Sequence, residues 1–285
     1  MLFLLLSIVL NSLIFAIFKW FGIKKVQTFQ AIVVNYFICV ITGIFFTGIE
    51  PVLNQSPESG WMYIALGLGA VFISIFYLMA LTAQKFSMAA ASIASKMAFV
   101  IPVLFSIFVL KIESNFVWYN IIGVFLALIA TYLSSAGNSE VTVKNKWLWL
   151  LPVLVFIGNG IIDTTINYTN LNYLNADTAA IFPIYIFLSA AVIGGVVLLI
   201  KGEGISKLSI FSGIFLGVIN YFTVYVFLVA LGELDNNGAF VFPIFNTGIV
   251  VLSALTGLIV FREKLSSLNK IGILIAVLAI ILVMW

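Results

Sequence analysis

Two charged residues, Lys96 and Asp163, lie well inside apolar stretches of the sequence. An ionised side chain at the centre of a membrane helix costs about 2.5–3.5 kcal/mol on insertion scales, so such a residue marks a functional site by default. An ammonium and a carboxylate in one cavity would suit a small zwitterion. The structural alternative for Lys96 is neutralisation by backbone carbonyls or by an internal acid.

The depths of these two residues follow from the rise of an α-helix. Lys96 lies about nine residues into its predicted helix, roughly 14 Å, and Asp163 about sixteen residues into its own, roughly 24 Å. Asp163 is central if its helix continues past Asn167 and nearly interfacial if the helix ends there. We expect a depth difference of about 10 Å, so a direct ion pair does not follow from the sequence.

Further polar and aromatic residues recur on the helices expected to line the same cavity. Asparagine in a bilayer needs hydrogen-bond partners, which either neighbouring helices or a substrate can supply. Tyr221 and Tyr225 are four residues apart and share a helix face, as in an aromatic wall or in ordinary packing. Besides Lys96 and Asp163, the candidate substrate-binding residues are Asn11, Tyr77, Ser92, Asn159, Asn220, Tyr221, Tyr225 and Asn246.

The chain around these residues is too apolar for a soluble protein. Hydrophobic residues make up 64% of its 285 residues and charged residues 8%, against about 25% charged in a typical soluble domain. Short polar gaps leave ten apolar stretches of about 20 residues, the length of a transmembrane helix. The predicted fold is an all-α membrane protein with ten spans: Leu2–Lys19, Thr28–Gly48, Trp61–Thr82, Ser87–Leu110, Val117–Ser135, Trp147–Asn167, Thr178–Ile200, Ser209–Leu231, Gly238–Phe261 and Leu268–Trp285.

Five spans precede a polar linker and five follow it, which predicts two repeats. A shift of 150 residues places Glu113 on Glu263 and Lys96 on Asn246. Because five is odd, the second repeat enters the membrane from the opposite face, and a two-fold axis in the membrane plane relates the repeats. The predicted units are a first repeat at 1–135, a linker at 136–146 and a second repeat at 147–285.

The basic residues predict the orientation of the chain. Gaps after even-numbered spans contain only Lys111, whereas the other basic residues outside the spans lie in or beside gaps after odd-numbered spans. Cytoplasmic loops are enriched in Lys and Arg, so the odd gaps are predicted to be cytoplasmic and both termini non-cytoplasmic. We expect an integral protein of a bacterial plasma (inner) membrane.

Two recurring segments give the chain a family resemblance. An Ala-Leu pair ends the third span of each half, at 80–81 and 230–231, and an acidic turn with Glu113 or Glu263 precedes the last span of each half. With the five-plus-five plan, the chain resembles EamA-type permeases of the drug/metabolite transporter (DMT) superfamily over essentially its whole length. The resemblance implies transport of a small molecule, but family members carry substrates from amino acids to drugs. Their termini are usually cytoplasmic, opposite to the charge count.

The sequence therefore predicts a transporter and not an enzyme. It has no histidine and one cysteine, Cys39, which excludes imidazole catalysis, histidine metal sites and intrachain disulfides. We expect a secondary carrier that moves a small polar metabolite, such as an amino acid or related zwitterion, by alternating access. A multidrug or amine exporter with an aromatic-lined pocket is the second interpretation, and a channel or lipid translocase is the alternative from another class.

The expected partners are a small-molecule substrate and membrane lipids, without nucleic acid. No cofactor is expected, and coupling to protons or another ion is left open. The sequence is compatible with a monomer or a homodimer. Glu113 and Glu263 lie at predicted helix starts, where the helix dipole favours an acid, so we expect them to cap helices.

Overall fold

The computed structural model describes residues 1–55, 59–108, 118–136, 146–202, 204–233 and 238–284, and all its regular secondary structure is helical. Helices suit this apolar chain because a helix pairs its backbone N–H and C=O groups internally, as a hydrocarbon environment requires. The α-helices are α1 Leu2–Ile23, α2 Thr28–Thr47, α3 Glu50–Leu53, α4 Gly60–Lys85, α5 Met88–Lys96, α6 Val100–Phe108, α7 Trp118–Ala136, α8 Leu150–Asn172, α9 Ala176–Ala179, α10 Phe182–Lys201, α11 Lys207–Glu233, α12 Gly238–Ile259 and α13 Ser267–Met284.

Six helices in the described part are long and apolar enough to cross a membrane: α1, α2, α4, α8 with the 3-10 turn before it, α10 and α11. Shorter apolar helices lie in the α5–α6 segment, α7, α12 and α13. The protein is therefore an integral membrane protein of the all-α class.

Several helices differ in extent from the predicted spans. α8 continues past Asn167 to Asn172, so Asp163 lies within the helix and not near its end. The seventh span was expected to begin at Thr178, but α10 begins at Phe182. Pro183 accounts for this start, because proline lacks an N–H and is tolerated in the first turn of a helix.

The predicted fourth span is interrupted beside Lys96. α5 ends at Lys96, Met97–Phe99 form a 3-10 turn, and α6 begins at Val100. Pro102 explains the interruption, because it has no N–H to donate to the carbonyl of Ala98 and its ring clashes with that carbonyl. A 3-10 stretch inside a helix often marks a hinge. Lys96 therefore lies at the end of a short helix and next to a break.

Glycines bring α2 and α11 into close, parallel contact. Gly213 lies against Val34, and Gly217 lies one turn further along against Ile38. Residue numbers rise together along the two helices, so the helices run in the same direction. Helices α4 and α10 are also in close, parallel contact, and Gly69 of α4 lies in their interface.

Helices α2 and α10 also contact each other, but in opposite directions. Gly43 of α2 lies against Ile184 of α10, and Gly194 of α10 lies against Val33 of α2. Residue numbers rise along one helix as they fall along the other. The pair is therefore antiparallel.

A third close pair, α7 and α13, is antiparallel and is joined by buried amides. Asn120 at the start of α7 donates its side-chain N–H to the carbonyl of Leu282, at 2.9 Å. Asn269 at the start of α13 donates to the carbonyl of Leu133, at 3.5 Å, and to that of Ser134, at 2.7 Å. Each asparagine thus pairs a carbonyl near the C-terminal end of the opposite helix, where intrahelical partners run out.

Candidate functional site

The interior of the bundle is bordered by α1, α5, α8 and α12. α5 packs against α8 and α12, and α1 packs against α12 and α5. A buried hydrogen bond between the hydroxyl groups of Ser12 and Ser253, at 3.1 Å, joins α1 to α12. These four helices position five of the polar candidates, namely Lys96, Asp163, Asn159, Asn11 and Asn246.

Lys96 reaches an aromatic ring on the facing helix. Its ammonium lies 5.3 Å from the centre of the Phe245 ring, a distance at which a cation is attracted to the ring face. Phe245 is buried and precedes Asn246, which is also buried. Lys96 itself is half-buried, whereas the rest of α5 is buried. The sequence analysis missed Phe245, because one phenylalanine among many apolar residues has no distinguishing pattern.

Asp163 lies on the inner face of α8. The exposed apolar residues of this helix form one stripe, which includes Val153, Ile157 and Ile161. At 100° per residue, Asp163 lies on the opposite side from this stripe. Its side chain is exposed, although it lies on the side of α8 that faces the other helices. Both observations are met if the carboxyl group borders an internal cavity and does not face lipid.

The charges of Lys96 and Asp163 interact electrostatically. No ion pair within 4.0 Å joins them. Ile101 of α6 lies against Gly160 of α8, and the two helices run in the same direction. This register places Asp163 about eight residues further along than Lys96, roughly 12 Å. Lys96 and Asp163 therefore lie about two helical turns apart along the bundle.

Three asparagines complete the polar surface of the interior. Asn159 lies one turn before Asp163 on the same face of α8 and donates to the carbonyl of Val155, at 2.8 Å. Asn11 is half-buried on the side of α1 opposite its exposed leucines, and Asn246 is on the inner side of α12. The structure thus gathers these residues around the same interior as Lys96.

The candidates on α11 pack against α2 instead. Asn220 donates to the side-chain oxygen of Asn35, at 3.2 Å. Tyr221 and Tyr225 each stack on Phe46, with ring centres 5.7 Å apart in both pairs. The two tyrosines do share a face, as expected, but that face holds two helices together.

Tyr77 and Ser92 also have contacts of their own. Tyr77 lies on the exposed side of α4 and packs edge-on against Phe29, with ring centres 5.6 Å apart. Ser92 is fully buried one turn before Lys96, and its hydroxyl donates to the carbonyl of Ala89, at 3.1 Å. Tyr77 therefore lies away from the interior, and Ser92 is covered by packing.

One side of the interior is densely packed. Phe15 and Phe18 of α1 and Ile93 and Ala94 of α5 are at most 1% exposed, and they lie between Lys96 and the end of the bundle that contains Met88. Along α8 the exposure increases in the other direction, from half-buried Asn159 to exposed Asp163, whereas Leu4 of α1 and Val241 of α12 are fully buried. The interior is therefore tightly packed toward Met88, and on the far side of Lys96 it is exposed along α8.

An ion pair lies at the packed end. Lys19 of α1 and Glu263, in the turn after α12, are 2.7 Å apart. Glu263 also accepts hydrogen bonds from the backbone N–H of Met88, at 3.2 Å to each oxygen. Glu263 was expected to cap a helix, and it does contact the start of one. That helix is α5, which is distant from Glu263 in the sequence.

A separate groove of about 430 Å³ lies on the outer surface between α1 and α11. Trp20, Phe211 and Phe215 are among its lining residues, which are apolar apart from Ser212. This lining does not suit a polar metabolite. The interior around Lys96 is the better candidate site.

Comparisons with known proteins establish the fold but not an activity. No protein-family model matches the chain. An uncharacterized protein of Haemophilus influenzae is 29% identical over 273 residues, which cover 90% of this chain and 88% of that protein. A protein of known crystal structure is 13% identical with a TM-score of 0.59, over 97% of this chain and 96% of that one. The chain therefore shares its fold with that protein over nearly the whole length.

Proposed function

We propose that the protein is a secondary carrier for a small polar metabolite, built as two inverted five-helix halves like the EamA-type carriers of the DMT superfamily. The observation on which this proposal rests is the pair Lys96 and Asp163, two opposite charges on the inner faces of helices in an apolar bundle. A charge at that depth is costly, so a charged residue that is kept there without a close ion pair indicates a functional site.

Reciprocal contacts support the inverted arrangement. Gly43 packs on Ile184 as Gly194 packs on Val33, and a shift of 151 residues converts one contact into the other. An exchange of this kind, in which i contacts j and j contacts i, is characteristic of a two-fold axis. Equivalent helices of the two halves, α2 and α10, run in opposite directions, which favours an axis in the membrane plane.

The buried asparagines obey the same relation. The amide of Asn120 meets the carbonyl of Leu282, and the amide of Asn269 meets the carbonyl of Leu133. A shift of 149 residues exchanges these contacts. Two independent helix pairs therefore support one pseudo-symmetry axis, and carriers with such an axis bind their substrates near the midplane between the repeats.

The charges favour a zwitterion as substrate. Lys96 would bind its anionic group and Asp163 its cationic group, with the asparagines as neutral hydrogen-bond partners. The packed end next to Met88 argues against a continuous open channel. If the basic residues mark the cytoplasm, the packed end next to Met88 is cytoplasmic and both termini are non-cytoplasmic.

A transport assay tests this function. Purified protein is screened by thermal shift against metabolites that include amino acids, since a ligand that binds the folded state raises its melting temperature. Uptake of the best ligand into proteoliposomes is then measured against its concentration. A carrier gives saturable uptake and counterflow, whereas uptake that stays linear in concentration would contradict the proposal.

Asp163→Asn tests the role of the carboxylate. The amide is nearly the same size, so the fold should be retained while the partner of a substrate ammonium is lost. We expect KM for a zwitterion to rise about tenfold or more, because a hydrogen bond to a charged group contributes roughly 1.5–3 kcal/mol. Glu50→Gln, at an exposed acid in α3, is the matched control and should leave KM unchanged. An unchanged KM in Asp163→Asn would remove the residue from the site.

A further inference from the structure

The ion pair at the packed end joins three of the helices that border the interior. Lys19 lies near the end of α1, and Glu263 follows α12 and contacts the start of α5 at Met88. The side chains of Lys19 and Glu263 are only 17% and 7% exposed. Lys19 and Met88 belong to the first half of the chain and Glu263 to the second, so the pair links the halves.

The end of α12 holds Glu263 in position. Arg262 has a positive φ of 51°, the left-handed conformation that commonly ends a helix. The backbone N–H of Glu263 then donates to the carbonyl of Gly257, at 2.9 Å. A non-glycine residue in this conformation is uncommon. The turn thus directs the carboxylate at Lys19 and Met88.

The repeat relation does not carry Lys19 to a second basic residue. The shift of 150 residues places Glu113 on Glu263 but Thr169 on Lys19. Glu113 lies outside the described residues. Thr169 is uncharged and buried, and its hydroxyl donates to the carbonyl of Thr165, at 2.7 Å. The residue equivalent to Lys19 therefore cannot form a second ion pair of this kind.

Helix α5 connects the ion pair to the candidate site. Met88 at its start contacts Glu263, and Lys96 at its end lies beside Phe245. About eight residues, roughly 12 Å of helix, separate the two contacts. The 3-10 turn Met97–Phe99 follows Lys96, and a 3-10 stretch inside a helix often marks a hinge.

We propose that the Lys19–Glu263 pair is the gate that holds this end of the cavity closed, and that α5 couples the gate to Lys96. The proposal rests on the proposed carrier function, in which each end of the cavity must open in turn. When a substrate binds Lys96 and α5 tilts, Met88 withdraws from Glu263 and the ion pair separates.

A cysteine reporter between the gate and the site tests this proposal without substrate. Ser92→Cys places a thiol on α5 at a position that is fully buried, and a charged, membrane-impermeant thiol reagent is added to one side of oriented membranes at a time. In the otherwise unchanged protein the thiol should resist labelling from both sides. Adding Glu263→Ala or Lys19→Met should raise the labelling rate about tenfold or more, from the Lys19 side only.

A second ion pair gives the control. Glu233 lies 3.7 Å from the N-terminal amine at the other end of α1, and both groups are well exposed. Glu233→Gln should leave the reporter unlabelled. If Glu263→Ala does not fold, Lys19→Met decides the question, because it keeps the bonds from Glu263 to Met88.

Three results would overturn the gate: no rise in labelling in folded gate variants, an equal rise from both sides, or the same rise with Glu233→Gln. Because no substrate is present, these results concern the gate alone. A failure of saturable uptake in the transport assay would instead reject the carrier function, whatever the labelling shows.

Discussion

Lys96→Met should weaken substrate binding and transport strongly and leave the protein folded. Methionine keeps much of the length of the lysine side chain and removes the charge next to Phe245. A substrate carboxylate then loses its cation, which costs roughly 1.5–3 kcal/mol, or about 10- to 100-fold in affinity. Because the lysine is only half-buried and has no ion pair within 4.0 Å, its removal breaks no close contact with an acid. We expect an unchanged melting temperature and loss of the ligand-induced thermal shift.

Two further variants make this test specific. Lys96→Arg should rescue poorly, since a planar guanidinium needs a different geometry from a compact ammonium. Lys85→Met removes a charge from the exposed end of α4 and should transport like the unmodified protein. If Lys96→Met transports normally, Lys96 is structural and the site lies elsewhere.

Gly69→Ala should destabilise the protein strongly, whereas Gly67→Ala, two residues earlier in α4, should not. A Cβ atom at Gly69 would clash with the Cβ of Ser189 and lie 2.7 Å from the backbone nitrogen of Ala190. Backbone atoms of α10 cannot give way as a flexible side chain can, so α4 and α10 must separate. Overpacking of this kind costs about 1–3 kcal/mol or more.

Gly67 is the matched control, because nothing lies within 4 Å of a Cβ atom built there. In an exposed helix interior, alanine is favoured over glycine by about 1 kcal/mol. The two substitutions should therefore shift the melting temperature in detergent in opposite directions. Equal shifts would show that the α4–α10 contact is not as close as the structure has it.

The apolar runs predicted the helices well, and their ends less well. The polar residues around Asn167 led to a predicted end of the sixth span at that residue, but α8 continues to Asn172. Thr169 and Asn172 each bond to a carbonyl four residues earlier in their own helix. Polar side chains that are satisfied in this way do not end a helix, and composition alone cannot distinguish them from a loop.

Which polar residues face the interior could not be derived from the sequence. Asn159 and Asn220 are alike in type and both lie within apolar runs, yet one faces the interior of the bundle and the other holds α2 to α11. The choice depends on which helices are neighbours, and helix periodicity does not determine that. The pairing of Lys19 with Glu263 was missed for the same reason, since the two residues lie near opposite ends of the chain.

The proposed site requires that the inner face of α8 around Asp163 borders a water-filled cavity inside the membrane. Asp163→Cys and Ile161→Cys are compared for reaction with a charged, membrane-impermeant thiol reagent. Both native residues are exposed, but Ile161 belongs to the apolar outer stripe. The native Cys39 is fully buried, so the unmodified protein gives the baseline.

We expect Asp163→Cys to react at least about tenfold faster than Ile161→Cys, because a thiol ionises and becomes reactive in water but not in hydrocarbon. Reaction should proceed from one side of the membrane only. If Ile161→Cys reacts and Asp163→Cys does not, Asp163 faces lipid or protein, and the site described around Lys96 is wrong.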